Sequence, residues 1–283
     1  MSNSQPLTAL EAGLRILVGG DRVVSVPATL AERFRPGDSL AYAEAADELL
    51  LIPAAAKQAA GVAVEAAARA FEQMRSVGEQ EVNAFYTGFA RRLDADDAWS
   101  KIAEANRLDV EDARRRERST TRLVATDKLR RAMIDGLRGW ATLGTIRGRA
   151  IETIAHDGWS VDLVAAELGV VAFVFEGRPN VLADATGVLK GGNTVVFRIG
   201  RDALRTAMAI MELALVPALR ESGLPEGAVG LVESAEHAAG WALFTDRRVS
   251  LAVARGSGHA VAVLGSNRTC CRWALTFASS ASG

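Results

Sequence analysis

The arginines, glycines and asparagine that could bind a ligand or take part in catalysis lie in three short turns of this sequence. The turns read EGRPN at residues 176–180, RIGRD at 198–202 and ARGSG at 254–258. An arginine guanidinium binds a phosphate or a carboxylate through a planar pair of N–H groups. An asparagine amide can donate a hydrogen bond to a developing oxyanion. The turns therefore indicate a site for an anionic substrate or cofactor.

Each turn also has a structural interpretation. Asn180 could cap a helix that begins at Val181, because asparagine is a common capping residue, and Arg178 could form a surface salt bridge. Arg198 and Arg201 suit the 2′-phosphate of NADP, and Gly200 would permit a tight turn before a helix that offers N–H groups to an anion. The turn at 255–258 could be only a glycine turn. Residue types alone leave these alternatives open.

Strands and helices alternate in the part of the chain that carries the turns. Apolar runs predict strands at 170–175, 194–197, 227–232 and 249–253, and the intervening segments predict helices at 181–189, 202–221 and 235–244. Strands that are apolar throughout and joined by helices are typical of a parallel sheet covered on both faces. Right-handed crossovers make such a sheet doubly wound. The predicted fold class is therefore α/β, with ligands at the carboxyl ends of the strands.

The remaining segments predict smaller units around this sheet. Residues 1–53 would form a small β-containing extension, with strands at 22–27, 39–43 and 48–52. Residues 54–150 show apolar positions at helical spacing and predict a helical region, for which Ser119–Thr121 and Thr126–Asp127 are suitable helix starts. Residues 151–266 would form the NADP-binding α/β domain. Residues 267–283 would be an irregular tail.

The overall composition is that of an ordinary globular protein. The chain has 283 residues, of which 33 are basic, 34 acidic and 49% hydrophobic. This balance gives no case for a nucleic-acid partner, and no apolar run is long enough to span a bilayer, so we expect no membrane partner. The N-terminal residues lack the basic and apolar regions of a signal peptide. With only two cysteines, these features predict a cytoplasmic location.

The turns and their spacing resemble the cofactor domain of the glutamate-5-semialdehyde dehydrogenases, or γ-glutamyl phosphate reductases, a branch of the aldehyde dehydrogenase superfamily. The resemblance rests on FEGRPNV at 175–181, LKGGNTVV at 189–196 and the turn at 255–258, and it covers roughly residues 55–265. It implies NADPH-dependent reduction of γ-glutamyl phosphate to the semialdehyde in proline biosynthesis. The small-molecule substrate would be γ-glutamyl phosphate or a related aldehyde. A strand within 150–165 would mediate homo-oligomer formation.

The resemblance also implies roles for individual residues. Asn180 would help to form the oxyanion hole, and Arg178 would bind the substrate. Seven residues would bind NADP, namely Glu176, Lys190, Arg198, Gly200, Arg201, Arg255 and Gly256. The three histidines are scattered without metal-ligand spacing, so no metal site is expected.

The nucleophile of this family is missing from its expected place. The family carries a glycine-flanked cysteine in a second domain, whereas this chain has only Cys270 and Cys271, beside Arg272 and Trp273. We expect the chain to depart from the family after Ser266, through truncation or a frameshift. Enzymatic activity is therefore an open question. The alternative is a non-catalytic nucleotide-binding, regulatory or oligomerising protein.

A second, weaker resemblance lies in residues 22–53. The sequence RFRPGD at 33–38, placed between predicted strands, resembles the swapped-hairpin domain of AbrB-type regulators. Such domains exchange strands to dimerise, and some bind DNA through arginines. The segment is not basic as a whole, so a DNA partner is not expected. A β extension that packs on the helices or pairs subunits is the favoured interpretation.

Overall fold

The computed structural model describes residues 5–175, 177–256 and 274–278. Its strands are β1 (Arg15–Val18), β2 (Arg22–Ser25), β3 (Ser39–Ala43), β4 (Glu48–Ile52), β5 (Ala150–His156), β6 (Trp159–Val164), β7 (Val170–Phe175), β8 (Thr194–Ile199), β9 (Val229–Leu231), β10 (Val249–Gly256) and β11 (Ala274–Ala278). Its α-helices are α1 (Ala28–Arg33), α2 (Ala54–Met74), α3 (Glu79–Asp94), α4 (Asp96–Arg115), α5 (Asp127–Thr142), α6 (Val181–Ala185), α7 (Leu204–Ile210), α8 (Val216–Ser222) and α9 (His237–Thr245).

A five-stranded parallel sheet forms the centre of the molecule. Its strand order is β11-β10-β7-β8-β9, and all four pairings are parallel. From β7 the chain moves through β8 to β9 on one side, and then returns to add β10 and β11 on the other side. The order therefore reverses between β7 and β10, which is where open α/β sheets bind ligands. The predicted doubly wound α/β fold is confirmed.

Helices cover both faces of this sheet. Alternate residues of β7 point to opposite faces. Ala172 and Val174 pack against α2 and α9, whereas Phe173 stacks on Phe175 and Phe197 on the other face. That second face lies under α3 to α8, whose apolar residues share one cluster with the sheet. Helices from the predicted 54–150 region thus pack directly on the sheet, while the domain boundaries themselves stay predictions.

The N-terminal residues form two antiparallel hairpins, β1–β2 and β3–β4, joined by α1. Alternate side chains of β3–β4 face opposite ways. Leu50 and Ile52 pack on α2 and α9, whereas Leu49 and Leu51 join a small cluster with α1. This arrangement agrees with a β extension that packs on the helices. The AbrB-like interpretation of the segment stays a prediction.

A third hairpin, β5–β6, stands out from the surface. Every one of its strand residues is exposed, and His156 stacks on Trp159 at its turn, with ring centroids 4.0 Å apart. Six of its side chains are large, apolar and exposed, namely Ile151, Ile154, Trp159, Val161, Leu163 and Val164. The hairpin covers the segment predicted to mediate self-association.

Several predicted elements differ in detail from those in the structure. The helix predicted at 181–189 is α6 followed by a 3-10 helix, Thr186–Gly191. The helix predicted at 202–221 contains a π-helical turn, Met211–Leu215. Pro217 explains this turn, since its ring clashes with the carbonyl of the preceding helical turn and widens it.

Two other boundaries also differ from those predicted. Ser119–Thr121 begins no helix, whereas Thr126 caps α5 by accepting a hydrogen bond from the Leu129 amide. The strand predicted at 227–232 is shorter, because Glu226–Ala228 forms a 3-10 turn. Within the range predicted as an irregular tail, Ala274–Ala278 forms a strand. No helix in the described part of the chain is long and apolar enough to cross a bilayer.

Candidate functional site

The turn after β7 positions the first group of candidate residues. Gly177 has a φ of +35°, a backbone conformation that residues other than glycine rarely adopt. A Cβ there would lie 3.7 Å from the Cβ of Asp202, so the turns after β7 and β8 are neighbours. Pro179 is buried behind the turn, while Arg178 and Asn180 are half-buried. The glycine therefore lets the chain turn sharply and present both polar side chains at the edge of the sheet.

The Asn180 side chain does not cap the helix that follows it. Asn180 lies at the N-cap position of α6 but makes no side-chain capping bond. Instead its Nδ2 donates a hydrogen bond of 2.8 Å to Oδ2 of Asp184, one helical turn later. The capping alternative is thus not what the structure shows. A role in an oxyanion hole stays a prediction.

Arginines from other segments lie close to the turn after β7. Arg255 pairs with Phe175 in the sheet and acts on Asp184, whereas Arg122 acts on Arg178. Burial raises the pKa of Asp184, and the positive charges of Arg255 and Arg178 act in the opposite direction. Burial lowers the pKa of Arg178, and the nearby charges of Arg255 and Arg122 lower it further. The end of β10 therefore brings Arg255 to the turn after β7, as expected where the strand order reverses.

A cavity of about 1040 Å³ lies beside these charges. It runs along the face of β7 and β10, and Asp184 and Arg255 line it. Its apolar walls include Trp140, Leu143, Phe173, Phe175 and Val253. An apolar cleft with a few convergent polar groups is the usual form of a small-molecule site.

Arg198 and Arg201, which are predicted to bind NADP at the end of β8, do not line this cavity. Arg198 is buried, 2% exposed, and its Nη2 donates a 3.2 Å hydrogen bond to the Ala235 carbonyl just before α9. Arg201 is exposed and lies 4.0 Å from Asp112 of α4. Arg198 lies in the carboxyl half of β8 and Arg201 just after it, at the edge where an open α/β sheet binds nucleotides. Arg201 is therefore accessible to a cofactor phosphate and Arg198 is not, and a role in cofactor binding stays a prediction for both.

Gly200 does not need to be glycine for its backbone conformation. Its φ of −59° is an ordinary value, and its amide donates a hydrogen bond to the Phe175 carbonyl. The turn after β8 therefore does not depend on a glycine-specific conformation, and the role of Gly200 in cofactor binding stays a prediction. Gly177 adopts such a conformation instead.

Lys190 is buried at the opposite end of β8 from the arginines. Its Nζ donates hydrogen bonds to Asn83 Oδ1 and the Leu143 carbonyl, and it lies 4.0 Å from Glu79 Oε1. Burial lowers the pKa of Lys190. These contacts tie α3 and the chain after α5 to the start of β8, so the structure does not bring Lys190 together with Arg198 or Arg201.

The remaining predicted residues lie at the end of a described segment or outside the described residues. Gly256 ends β10 next to Arg255. Glu176, Cys270 and Cys271 lie outside the described residues. In the described part of the chain, no group of three or more His, Cys, Asp and Glu side chains could hold a metal ion.

The sequence and the fold of this chain are both similar to those of γ-glutamyl phosphate reductases. The chain is 44% identical over 109 residues to γ-glutamyl phosphate reductase of Afipia carboxidovorans, covering 38% of this chain and 25% of that protein. The crystal structure of γ-glutamyl phosphate reductase from Thermotoga maritima matches with a TM-score of 0.70 and 29% identity, over 75% of this chain and 52% of that chain. The predicted resemblance to the γ-glutamyl phosphate reductases is confirmed.

The wider superfamily shares the fold. An engineered glycolyl-CoA reductase with bound NADP⁺ matches with a TM-score of 0.57 and 19% identity, over 75% of this chain and 45% of that chain. Propionaldehyde dehydrogenase of Rhodopseudomonas palustris matches with a TM-score of 0.58 and 18% identity, over 77% of this chain and 45% of that chain, so the fold is like that of the aldehyde dehydrogenases. No family model matches the chain. The chain spans about a quarter of the curated γ-glutamyl phosphate reductase and about half of the solved one.

Two site residues were missed in the sequence. Asp184 lies four residues after Asn180, a spacing that places both on one face of a helix. That spacing could have identified it. Arg122 lies between α4 and α5, in a segment whose sequence gives no signal of a site.

Proposed function

We propose that this chain forms the cofactor- and substrate-binding part of a γ-glutamyl phosphate reductase. The supporting observation is the similarity to the Thermotoga maritima reductase, combined with the arginines and Asn180 at the carboxyl edge of the matching sheet. The substrate would be γ-glutamyl phosphate, or in reverse the semialdehyde. The cofactor would be NADP(H), and the location would be cytoplasmic.

The chain's own residues would orient the reaction. NADPH, when bound, supplies the hydride. The exposed Arg201 would hold its phosphate through charge-assisted hydrogen bonds, and Arg198 would add its positive charge from beneath the surface. Arg178 would orient the acidic substrate, and the Asn180 amide would donate to the oxygen of the acyl carbon. The thiolate that this chemistry requires has no counterpart among the described residues. We therefore propose binding as the function of this part, and turnover only where a nucleophile is present.

Cofactor binding is the first test. Titration of the full chain with NADPH, followed by nicotinamide fluorescence, should show tighter binding than NADH. Arg201→Gln should weaken NADPH binding about tenfold, because a hydrogen bond to a charged group contributes about 1.5–3 kcal/mol. NADH affinity should not change. Arg247→Gln is the matched control, since Arg247 is exposed at the opposite, amino end of β10.

The outcomes separate the two candidate functions. If NADPH does not bind, or if Arg201→Gln affects NADPH and NADH equally, the proposed cofactor site is wrong. NADPH binding without semialdehyde-dependent NADP⁺ reduction would favour the non-catalytic nucleotide-binding alternative. Semialdehyde-dependent reduction of NADP⁺ would exclude that alternative.

We also propose that the chain self-associates through the β5–β6 hairpin. The support is its exposed apolar surface, because such surface on a projecting hairpin is typical of an interaction site. Leu163→Glu should shift the molar mass measured by light scattering towards that of a monomer. Val62→Glu is the control, because Val62 is equally apolar and exposed but lies on α2. A wild-type chain that is monomeric at high concentration would contradict the proposal.

A further inference from the structure

Asp184, on α6, lies between Asn180 and the cavity that Arg255 lines. It accepts the hydrogen bond from Asn180 Nδ2 at 2.8 Å, and it lines the cavity together with Arg255. Asp184 and Arg255 both keep solvent-accessible side chains, although the surrounding protein desolvates the Asp184 carboxylate enough to raise its pKa. A ligand in the cavity would therefore reach both side chains without any change in the fold.

The charges around Asp184 are not balanced. Arg178 and Arg255 both act on the Asp184 carboxylate, and Arg122 adds a further positive charge close to Arg178. Among the residues that the structure describes, the Asp184 carboxylate thus faces two guanidinium groups, with a third close to Arg178, and these four side chains together carry a net positive charge. Like charges held close together are stabilised by an anion between them.

Two of the predicted cofactor residues, Arg198 and Arg201, do not share this site, although Lys190 lines its cavity. Arg198 donates to the Ala235 carbonyl beside α9, and Arg201 faces Asp112 on α4. Neither residue lines the cavity that Arg255 and Asp184 share. Arg255 therefore belongs with Arg178 by position, and not with the arginines of β8.

We propose that Arg178 and Arg255 together bind the phosphoryl group of an acyl phosphate, and that Asp184 is the internal counter-charge of this site. The identification of the ligand as an acyl phosphate rests on the proposed function. When the ligand is absent, Asp184 partly neutralises the two arginines. When a phosphoryl group binds, it competes with Asp184 for them, and a dianion is attracted more strongly than a carboxylate because Coulomb energy scales with charge.

Asp184 also fixes the direction of the Asn180 amide. An ionised carboxylate only accepts hydrogen bonds, so it pairs with the amide nitrogen of Asn180 and not with its oxygen. One N–H of Asn180 is thereby used, and the second N–H is left to donate to the substrate. Asp184 is thus a positioning residue for Asn180 as well as a counter-charge.

Binding of inorganic phosphate tests this inference without requiring turnover. Calorimetric titrations at low salt and about pH 8, where phosphate is mainly dianionic, would compare the wild-type chain with two variants. Arg255→Gln should weaken phosphate binding about tenfold and leave NADPH affinity unchanged. Asp184→Asn should tighten phosphate binding about fivefold, and acetate binding by less. Asp157→Asn, in the exposed turn of β5–β6, is the control for charge alone and should change neither.

Other results would overturn the inference. If Arg255→Gln weakens NADPH binding but not phosphate binding, Arg255 serves the cofactor, as the family resemblance implies. If Asp184→Asn leaves phosphate binding unchanged or weakens it, Asp184 is not the counter-charge. A chain that shows the expected phosphate pattern but binds no NADPH would support this inference while contradicting the proposed function.

Discussion

At the scale of single residues, Asp109 shows how a buried carboxylate can join two helices. It lies on α4, is 3% exposed, and accepts hydrogen bonds of 2.8 Å from both the amide and the hydroxyl of Thr206. Thr206 lies in the first turn of α7, where amides have no partner within the helix. Asp109 therefore satisfies α7 from outside and fixes the two helices together.

Asp109 should make folding stability depend on pH. Burial raises its pKa in the folded protein above the ordinary value of 3.8, while hydrogen bonds from Thr206 act in the opposite direction. Because the pKa is higher in the folded protein, the carboxyl group of the unfolded chain loses its proton at a lower pH. The contribution of Asp109 to the free energy of unfolding is therefore full at low pH and is lost as pH rises through the folded-state pKa. Asp109→Asn, which keeps an acceptor for Thr206, should remove this dependence.

The measurement is urea unfolding of both forms between about pH 4 and pH 7. The stability of Asp109→Asn relative to wild type should increase with pH across this window and then become constant. Glu32→Gln, at an exposed position of α1, is the control for removing one carboxylate. A difference that falls as pH rises would contradict the expected sign.

At the scale of elements, close backbone approach fixes the edge of the sheet against α2. A Cβ at Gly227 would lie 2.5 Å from the Ala66 carbonyl oxygen of α2. A backbone atom of a helix cannot move aside as a flexible side chain can. The glycine therefore allows the turn before β9 to contact α2 directly.

Two glycine-to-alanine substitutions should have opposite effects. Gly227→Ala should lower the free energy of unfolding by about 1–3 kcal/mol, because overpacking forces the backbone to shift. Gly136→Ala should raise it by about 0.5–1 kcal/mol, because alanine favours a helix interior and a Cβ there contacts nothing within 4 Å. Chemical denaturation measures both. A neutral Gly227→Ala would show that α2 and β9 are not in firm contact.

At the scale of the whole molecule, the β3–β4 hairpin connects the N-terminal unit to the α/β body. Leu50 is 3% exposed and faces α2 and α9, whereas Leu49 is 7% exposed and faces the N-terminal cluster. Because one hairpin belongs to both clusters, neither cluster can lose its packing without disturbing the other.

Thermal unfolding should therefore proceed in one transition. Leu49→Ala and Leu50→Ala should each destabilise by about 2–5 kcal/mol, as expected for a cavity in a core, and both should lower the same midpoint. Near- and far-ultraviolet circular dichroism should give coincident curves. Two separate transitions, with Leu49→Ala moving only one of them, would mean that the N-terminal unit unfolds independently.

The sequence predicted the sheet better than the site. The strands at 170–175 and 194–197 and the turns that follow them were recognised because apolar runs and glycine or proline signals are local. Asn180 and Arg178 lie in one of these turns, but their roles rest on the family resemblance and stay predictions. The burial of Lys190 at the other end of β8 was not predicted, because a lysine beside two glycines looks like a surface residue until the chain around it is placed.

The sequence by itself determined the α/β class, the order of the elements and the turns that carry the arginines, since these depend on neighbouring residues. Only the tertiary structure decided that Arg255 and Asp184 line one cavity beside the turn that holds Arg178. It also decided that Asn180 pairs with Asp184 and that Arg198 turns away towards α9. These contacts depend on β10 pairing with β7, which lies far from it in the chain. Local sequence patterns do not predict such a pairing, because it depends on how the whole sheet packs between its helices.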